Sequence, residues 1–277
     1  MGIEIVSSSN QLIPFELSVV MGKKDGYSKV DKFGINPTIE PATDPEDIWE
    51  FGGVYTFDDF GTTAGLYVSS SSSSDAGKTI VVQGLDITGE LVTQEVTLLD
   101  QANVTLPTPL WRTFRMYNSS DSDFVGTVYC HNDTTPTDGV PDDANVRAIV
   151  VGEKNQTLMC IYCVPKGKVG FLYRGEIGLE LEGNAATLAE YSHCHYESRR
   201  FGKTFRVKKS LTLIAGGSST YQDERSFPDV IPALTDIRLR VQIVTQAMGM
   251  WGTFDILLVD EDKFSDEYLA QIGQPGY

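Results

Sequence analysis

Hydrophobic and polar residues alternate along much of this chain with the two-residue period of half-buried β-strands. In KTIVVQGLDITGELVTQEVTL, residues 78–98, a run rich in β-branched residues is followed by a second, alternating run. Leu91, Thr93, Glu95 and Thr97 share one face of the second run, and Val92, Gln94, Val96 and Leu98 share the other. With a Gly-containing turn at 86–89 between them, the pattern predicts a hairpin. Further strands are expected at 111–117 and 126–129, then at 159–164, 168–174, 188–197, 203–207, 210–215, 236–245 and 252–259. In TDIRLRVQIV, Ile237, Leu239, Val241 and Ile243 oppose Arg238, Arg240 and Gln242, so this strand has one apolar and one basic face. Short strands at this spacing predict a sandwich or jelly roll. A helix becomes credible only after Phe264, with Ser265 as its cap, Asp266 to Ile272 as its body, and Gly273 with Pro275 as its end.

The expected fold class is therefore all-β. An extended N-terminal arm occupies residues 1–52, two β-sandwich or jelly-roll-like domains occupy 53–157 and 158–262, and a helical tail occupies 263–277. A strand-like stretch at 11–20 opens the arm, and Pro37, Pro41 and Pro45 interrupt regular structure after it. From Phe33 to Gly77 there is no Lys or Arg, while Glu40, Asp44, Glu46, Asp47, Glu50, Asp58, Asp59 and Asp75 all occur. Such a segment is either a solvated acidic loop or an arm lying on a neighbouring subunit. Trp49 and Phe51 favour the arm, because a free loop gains nothing by exposing large aromatics. The six serines from Ser69 to Ser74 read as a flexible surface loop.

Charge narrows the range of partners. With 38 acidic and 22 basic residues in 277, the formal net charge is −16, which opposes binding to a phosphate backbone. No nucleic-acid partner is expected, and no apolar run approaches the roughly 20 residues that span a bilayer. The N-terminus lacks a basic region followed by an apolar core, and Val6 stands where a myristoylation signal needs Ser or Thr. Sequons at Asn103, Asn118, Asn132 and Asn155 carry little meaning without a secretory route.

Candidate chemistry is sparse. Cys160 and Cys163 form a CxxC, but no second CxxC exists, and residues three apart on a strand point to opposite faces. Core or interface cysteines are favoured over a metal site or a crosslink. Asp138, Asp142 and Asp143 could ligate calcium, without EF-hand spacing. His193 and His195 would share a strand face with Glu197, which leaves a metal site or paired surface histidines open, and no third ligand is identifiable. The chain has no GxSxG, P-loop, GxGxxG before a helix or HExxH, so no catalytic residue, cofactor or metal is assigned and the expectation is a non-enzyme. The run RRFGKTFRVKK, with Arg199, Arg200, Lys203 and Arg206, is an outlier in so acidic a chain. It is either the solvated face of a half-buried strand or an assembly interface that pairs, along with Trp49 and Phe51, with a neighbour.

Several phrases in succession resemble a known family. KVDKFGINPTIEPATDPEDIWEFGGVYTF (29–57), KTIVVQGLDITGELVTQEVTL (78–98), VGEKNQTLMCIYCVPKGKVGFL (151–172), TDIRLRV and GTFDILLVD are similar to virion structural proteins of tailed bacteriophages, especially podovirus-like phages of aquatic bacteria. The resemblance covers most of the chain. It implies a place in the particle and no catalytic residues, and the chain departs from the family at Cys160, Cys163 and the HCH segment. Together with the acidity, it implies a capsid-attached decoration, cement or head-fibre protein on the outer surface of the virion, made in the host cytoplasm. Its partners would be itself, as a homo-oligomer, and major capsid, portal or tail proteins. A collar, neck or tail component is the alternative, as is a lectin-like module whose Trp111, Tyr117, Tyr221 or Trp251 stacks on host glycans.

Overall fold

The structure is a computed structural model that describes residues 3–5, 12–41, 44–180, 190–215, 220–244 and 247–273. Gln11, Leu188, Thr245 and Pro275, each part of an expected element, lie outside them. The elements in order are β1 (Ile3–Ile5), β2 (Leu12–Pro14), α1 (Phe15–Val20), β3 (Tyr27–Ile39), β4 (Glu46–Asp47), β5 (Gly65–Ser70), β6 (Thr79–Asp86), β7 (Leu91–Thr97), β8 (Val104–Asn118), β9 (Val128–His131), β10 (Val146–Val150), β11 (Ile161–Cys163), β12 (Lys168–Glu180), β13 (Glu190–Arg200), β14 (Arg206–Ala215), β15 (Thr220–Ile231), β16 (Thr235–Val244), β17 (Met248–Asp260) and α2 (Asp266–Ile272). The chain is all-β with a short C-terminal helix. Ser265 caps α2 as expected, its side chain accepting from the Tyr268 N–H at 3.2 Å.

Two antiparallel sheets build a jelly roll. One has the order β3-β17-β12-β15 and the other β11-β16-β13-β14. Counted along the chain, with β4 and β11 as one strand, these orders are 1-8-3-6 and 2-7-4-5, the double Greek key of a jelly roll. Its second strand is made of two pieces, because β4 pairs with Arg240 and Val241 while β11 pairs with Asp236 to Arg238 of the same β16 edge. Hydrogen bonds knit the pieces together: Ile48 N–H donates to Leu239 O, Leu239 N–H to Cys160 O, and Cys160 N–H to Ile48 O, at 2.8–3.1 Å. The chain leaves the sheet at Trp49 and re-enters at Met159, and those two residues form an antiparallel bridge.

Everything between the two bridge residues is an insertion. Strands β5–β10 form one antiparallel sheet of order β10-β9-β5-β8-β6-β7, which bends so that β10 packs across β8. Its core holds Val68, Ile80, Val82, Leu106, Met116 and Phe124. The expected hairpin is β6–β7: Gly89 sits at φ 86° in the turn, its N–H donates to Asp86 O at 3.0 Å, and Val96 is buried while Thr93 and Glu95 are exposed. In β8 the alternation lapses, and residues 110–114 are all buried. One face of that run covers the insertion's own core through Leu110, whereas Trp111 and Phe114, joined by Leu85, enter the jelly-roll core. The two units therefore share apolar contact.

Two expectations change. Residues 27–39 and 46–48 are no extended arm, since β3 is an edge strand of the jelly roll paired along β17 and β4 is part of its second strand. Pro37, which cannot donate to a ladder, is tolerated on this edge. Of the stretch expected at 11–20, the described residues 12–20 are β2 followed by α1. The serine run is no free loop either. Ser69 and Ser70 are buried in β5, and the Ser70 hydroxyl donates to Asp75 Oδ2 at 2.7 Å.

Lys32 points from β3 into the core. The pairing of β6 with β8 passes from Gln83–Arg115 to Gly84–Thr113 and skips Phe114, whose carbonyl accepts a hydrogen bond from the Lys32 ammonium. Burial brings the Lys32 pKa down to about 7. Between that value and the unfolded value near 10.5, the unfolded chain binds the extra proton, so stability rises with pH. We expect urea denaturation to report a gain of roughly 1–2 kcal/mol between pH 7 and 8.5, and Lys32→Met to flatten that rise; an unchanged slope in the variant would assign it to another group.

Candidate functional site

The junction between insertion and jelly roll is built on charge. Arg112 stands mid-strand on β8, where the pairing with β6 skips Trp111 and the guanidinium lies 4.2 Å from the Trp111 ring, and it grips Asp236 at the start of β16 with two guanidinium nitrogens, at 2.9 and 3.0 Å. Both side chains are buried, 3% and 2% exposed. Burial alone would lower the Arg112 pKa, but the Asp236 carboxylate outweighs it and the net shift is upward. Arg199 of β13 approaches the same carboxylate from the other side at 2.8 Å. Further up β16, Arg238 donates to Glu197 at 2.8 Å and lies 3.5 Å from Asp47 of β4.

Two phenyl rings separate these cations. Phe57, in the irregular segment that precedes β5, and Phe205, just before β14, meet at 4.9 Å. Arg112, Arg199 and Arg238 lie 5.3, 5.0 and 5.8 Å from the Phe57 ring, and Arg199 and Arg238 also lie 4.7 and 3.8 Å from Phe205. Guanidinium planes over aromatic faces gain most where water is excluded. Asp47 is held less well: burial pushes its pKa up to about 6 against the pull of Arg238 and Arg240, and its Oδ1 has no hydrogen-bond partner.

The expected interface residues divide between the interior and the surface. Trp49 is 3% exposed and packs between Phe51 and Tyr55 at 5.1 Å from each, at the neck of the insertion, so it has no face left for a neighbouring subunit. Phe51 is half-buried against the same core. Arg199 pairs within its own chain, and the Arg200 guanidinium donates to Gly273 O at the end of α2. Lys203 and Arg206 are exposed and stay at the surface.

The other sequence candidates separate clearly. Cys160 and Cys163 are free and buried, and burial raises both thiols, Cys160 to about 12. His193 and His195 do share the outward face of β13, but His193 Nδ1 is 2.9 Å from Thr212 Oγ1 and His195 Nδ1 is 3.7 Å from Glu197. Among the described residues no three His, Cys, Asp or Glu side chains form a metal-sized group, Asp138, Asp142 and Asp143 included. Trp111, a proposed sugar platform, is 1% exposed, so no sugar can reach its ring.

Sequence reading missed a serine–histidine contact. Ser69 Oγ lies 2.9 Å from His131 Nε2, the geometry of a nucleophile and base. Its hydrogen bonds run the wrong way for that role. His131 Nδ1 accepts from the Asp133 backbone N–H at 3.1 Å, so a neutral ring carries its proton on Nε2 and donates to Ser69, while Ser69 donates onward to Gly139 O at 2.7 Å. Burial lowers the His131 pKa to about 4, against the opposing Asp133, which keeps the ring neutral. The pair locks β5 to β9 and the 139 turn.

No protein-family model matches the chain, and no curated protein matches it. Solved structures that align with it include the infectious bursal disease virus Gt strain, at 14% identity over 91% of this chain and 79% of that one with a TM-score of 0.23. The Gx strain of the same virus aligns at 12% identity over 89% and 82%, TM-score 0.22, and the crystal structure of the VP2 subviral particle at 12% over 90% and 82%, TM-score 0.19. These scores are too low to carry an argument. Among the described residues no helix is long and apolar enough to cross a membrane.

Asp236→Asn removes the one charge that two guanidiniums share. We expect it to destabilise the chain by about 3–5 kcal/mol in urea unfolding, and Lys203→Ala, at the surface nearby, to change stability by less than about 0.5 kcal/mol.

Proposed function

We propose that this chain is a non-enzymatic structural protein of a tailed-phage virion, attached to the capsid as a decoration, cement or head-fibre protein. The observation that carries the reading is the 1-8-3-6/2-7-4-5 strand order, because jelly rolls of this kind recur in viral capsid and lectin domains. The phage-like phrases of the sequence give it direction. The β domain inserted into the second strand is anchored by Arg112–Asp236 and by shared apolar core, which suits a projection that must hold its orientation on a particle.

Assembly with other copies and with capsid, portal or tail proteins draws support from the edge strand β14. It exposes Val207 at 50% and Ile214 at 65%, on an edge whose backbone, among the described residues, pairs with β13 on one side only. Monomeric proteins usually protect such edges. This strand replaces Trp49 and Phe51 as the surface for oligomer contacts.

Immunogold labelling of purified virions with antibody to residues 158–260 tests the reading, alongside mass spectrometry of the particles. Label scattered over the head is expected. Label confined to one vertex would move the protein to the collar or tail, and peptides absent from the particle would overturn the virion assignment. A glycan array on the purified chain then addresses the lectin alternative, for which strong, competable binding is the positive result.

A further inference from the structure

Beside the junction, the surface run RRFGKTFRVKK closes a small pocket of about 90 Å³. Arg200, Lys203, Arg206 and Lys208 line it, and no carboxylate does. In a chain of net charge −16 this is a pronounced local reversal. Hydroxyl donors accompany the cations: Ser198 from β13, Thr204 from the β13–β14 connection, and Thr235 from the start of β16. Thr235 is 3% exposed and its Oγ1 has no hydrogen-bond partner. A buried hydroxyl left unpaired is costly, and native structures rarely leave one unless a ligand or water completes it.

We infer that this pocket is a binding site for a tetrahedral oxyanion, phosphate or sulfate. The number of donors decides between oxyanions. One arginine fork satisfies both oxygens of a carboxylate, whereas four cationic side chains and three hydroxyls converging from three chain segments match an anion with four oxygens pointing apart. The volume admits one such group. The anion can arrive as a free ion or as a sulfate or phosphate ester on a polysaccharide, and its recognition does not depend on the virion assignment.

Titration calorimetry with inorganic sulfate and phosphate, at ionic strength held constant with chloride, provides the test. Saturable binding of one anion per chain is expected, weakened at least about tenfold by Lys203→Ala and by Arg206→Ala. Thr235→Val supplies a second readout. It should leave the melting temperature in chloride unchanged or higher, since it removes an unpaired hydroxyl, yet reduce the rise that sulfate induces in the native chain. Unsaturable heats, or native-like sulfate binding by Lys203→Ala and Thr235→Val, would overturn the site. A sulfated oligosaccharide that binds at least about tenfold more tightly than free sulfate, and loses that binding in Lys203→Ala, assigns the anion to a glycan; equal affinity assigns it to the free ion.

Discussion

The Arg112–Asp236 ion pair is the constraint around which the rest of the molecule is arranged. Both ends are buried, each belongs to a different structural unit, and neither buried charge tolerates the loss of the other. Arg199 and Arg238 then need placing, and the Phe57–Phe205 ring pair accommodates them beside Arg112 while Asp236 and Glu197 balance their charge. Because Phe57 precedes the insertion's first strand and Phe205 precedes β14, the same cluster fixes where the chain enters the insertion. Apolar contact through Trp111, Phe114 and Leu85 supplies area, and the charges supply register.

Much of the fold could be read from period-two patterning. The β6–β7 hairpin, the alternation of Ile237, Leu239 and Val241 against Arg238 and Arg240, and the Ser265 cap all stand where the residues placed them. What misled was residues 27–39 and 46–48. Proline and acidic residues there suggested an arm, but an edge strand needs only half its backbone paired, and its inward residues Lys32, Gly34 and Asn36 carry no apolar signature. Gly34 is small because the backbone of Met159 and Cys160 passes within 3 Å of where a Cβ would stand. Pairing with a strand more than 200 residues away leaves no mark in a local window.

The site was legible in part. The basic run was recognisable as an outlier, but local sequence could not divide it into Arg199, turned inward to Asp236, and Lys203, left at the surface. Arg112 did carry a signal, a cation in the middle of the apolar run LWRTF, and such a residue in a buried strand calls for a carboxylate elsewhere. The Ser69–His131 contact carried none, because serine in a six-serine run looks like loop. Its hydrogen-bond directions, visible only in three dimensions, separate a structural pair from a catalytic one.

The split second strand of the jelly roll has a kinetic side. Residues 46–48 and 160–163 must lie in line on β16, yet the whole insertion separates them along the chain. Bringing such distant segments together from an open chain carries a closure entropy that a folded insertion removes in advance, since its two ends already stand side by side at the Trp49–Met159 bridge. Chain connectivity thus favours an order of events in which the middle of the polypeptide folds first and acts as the clasp on which the first and last strands of the jelly roll close.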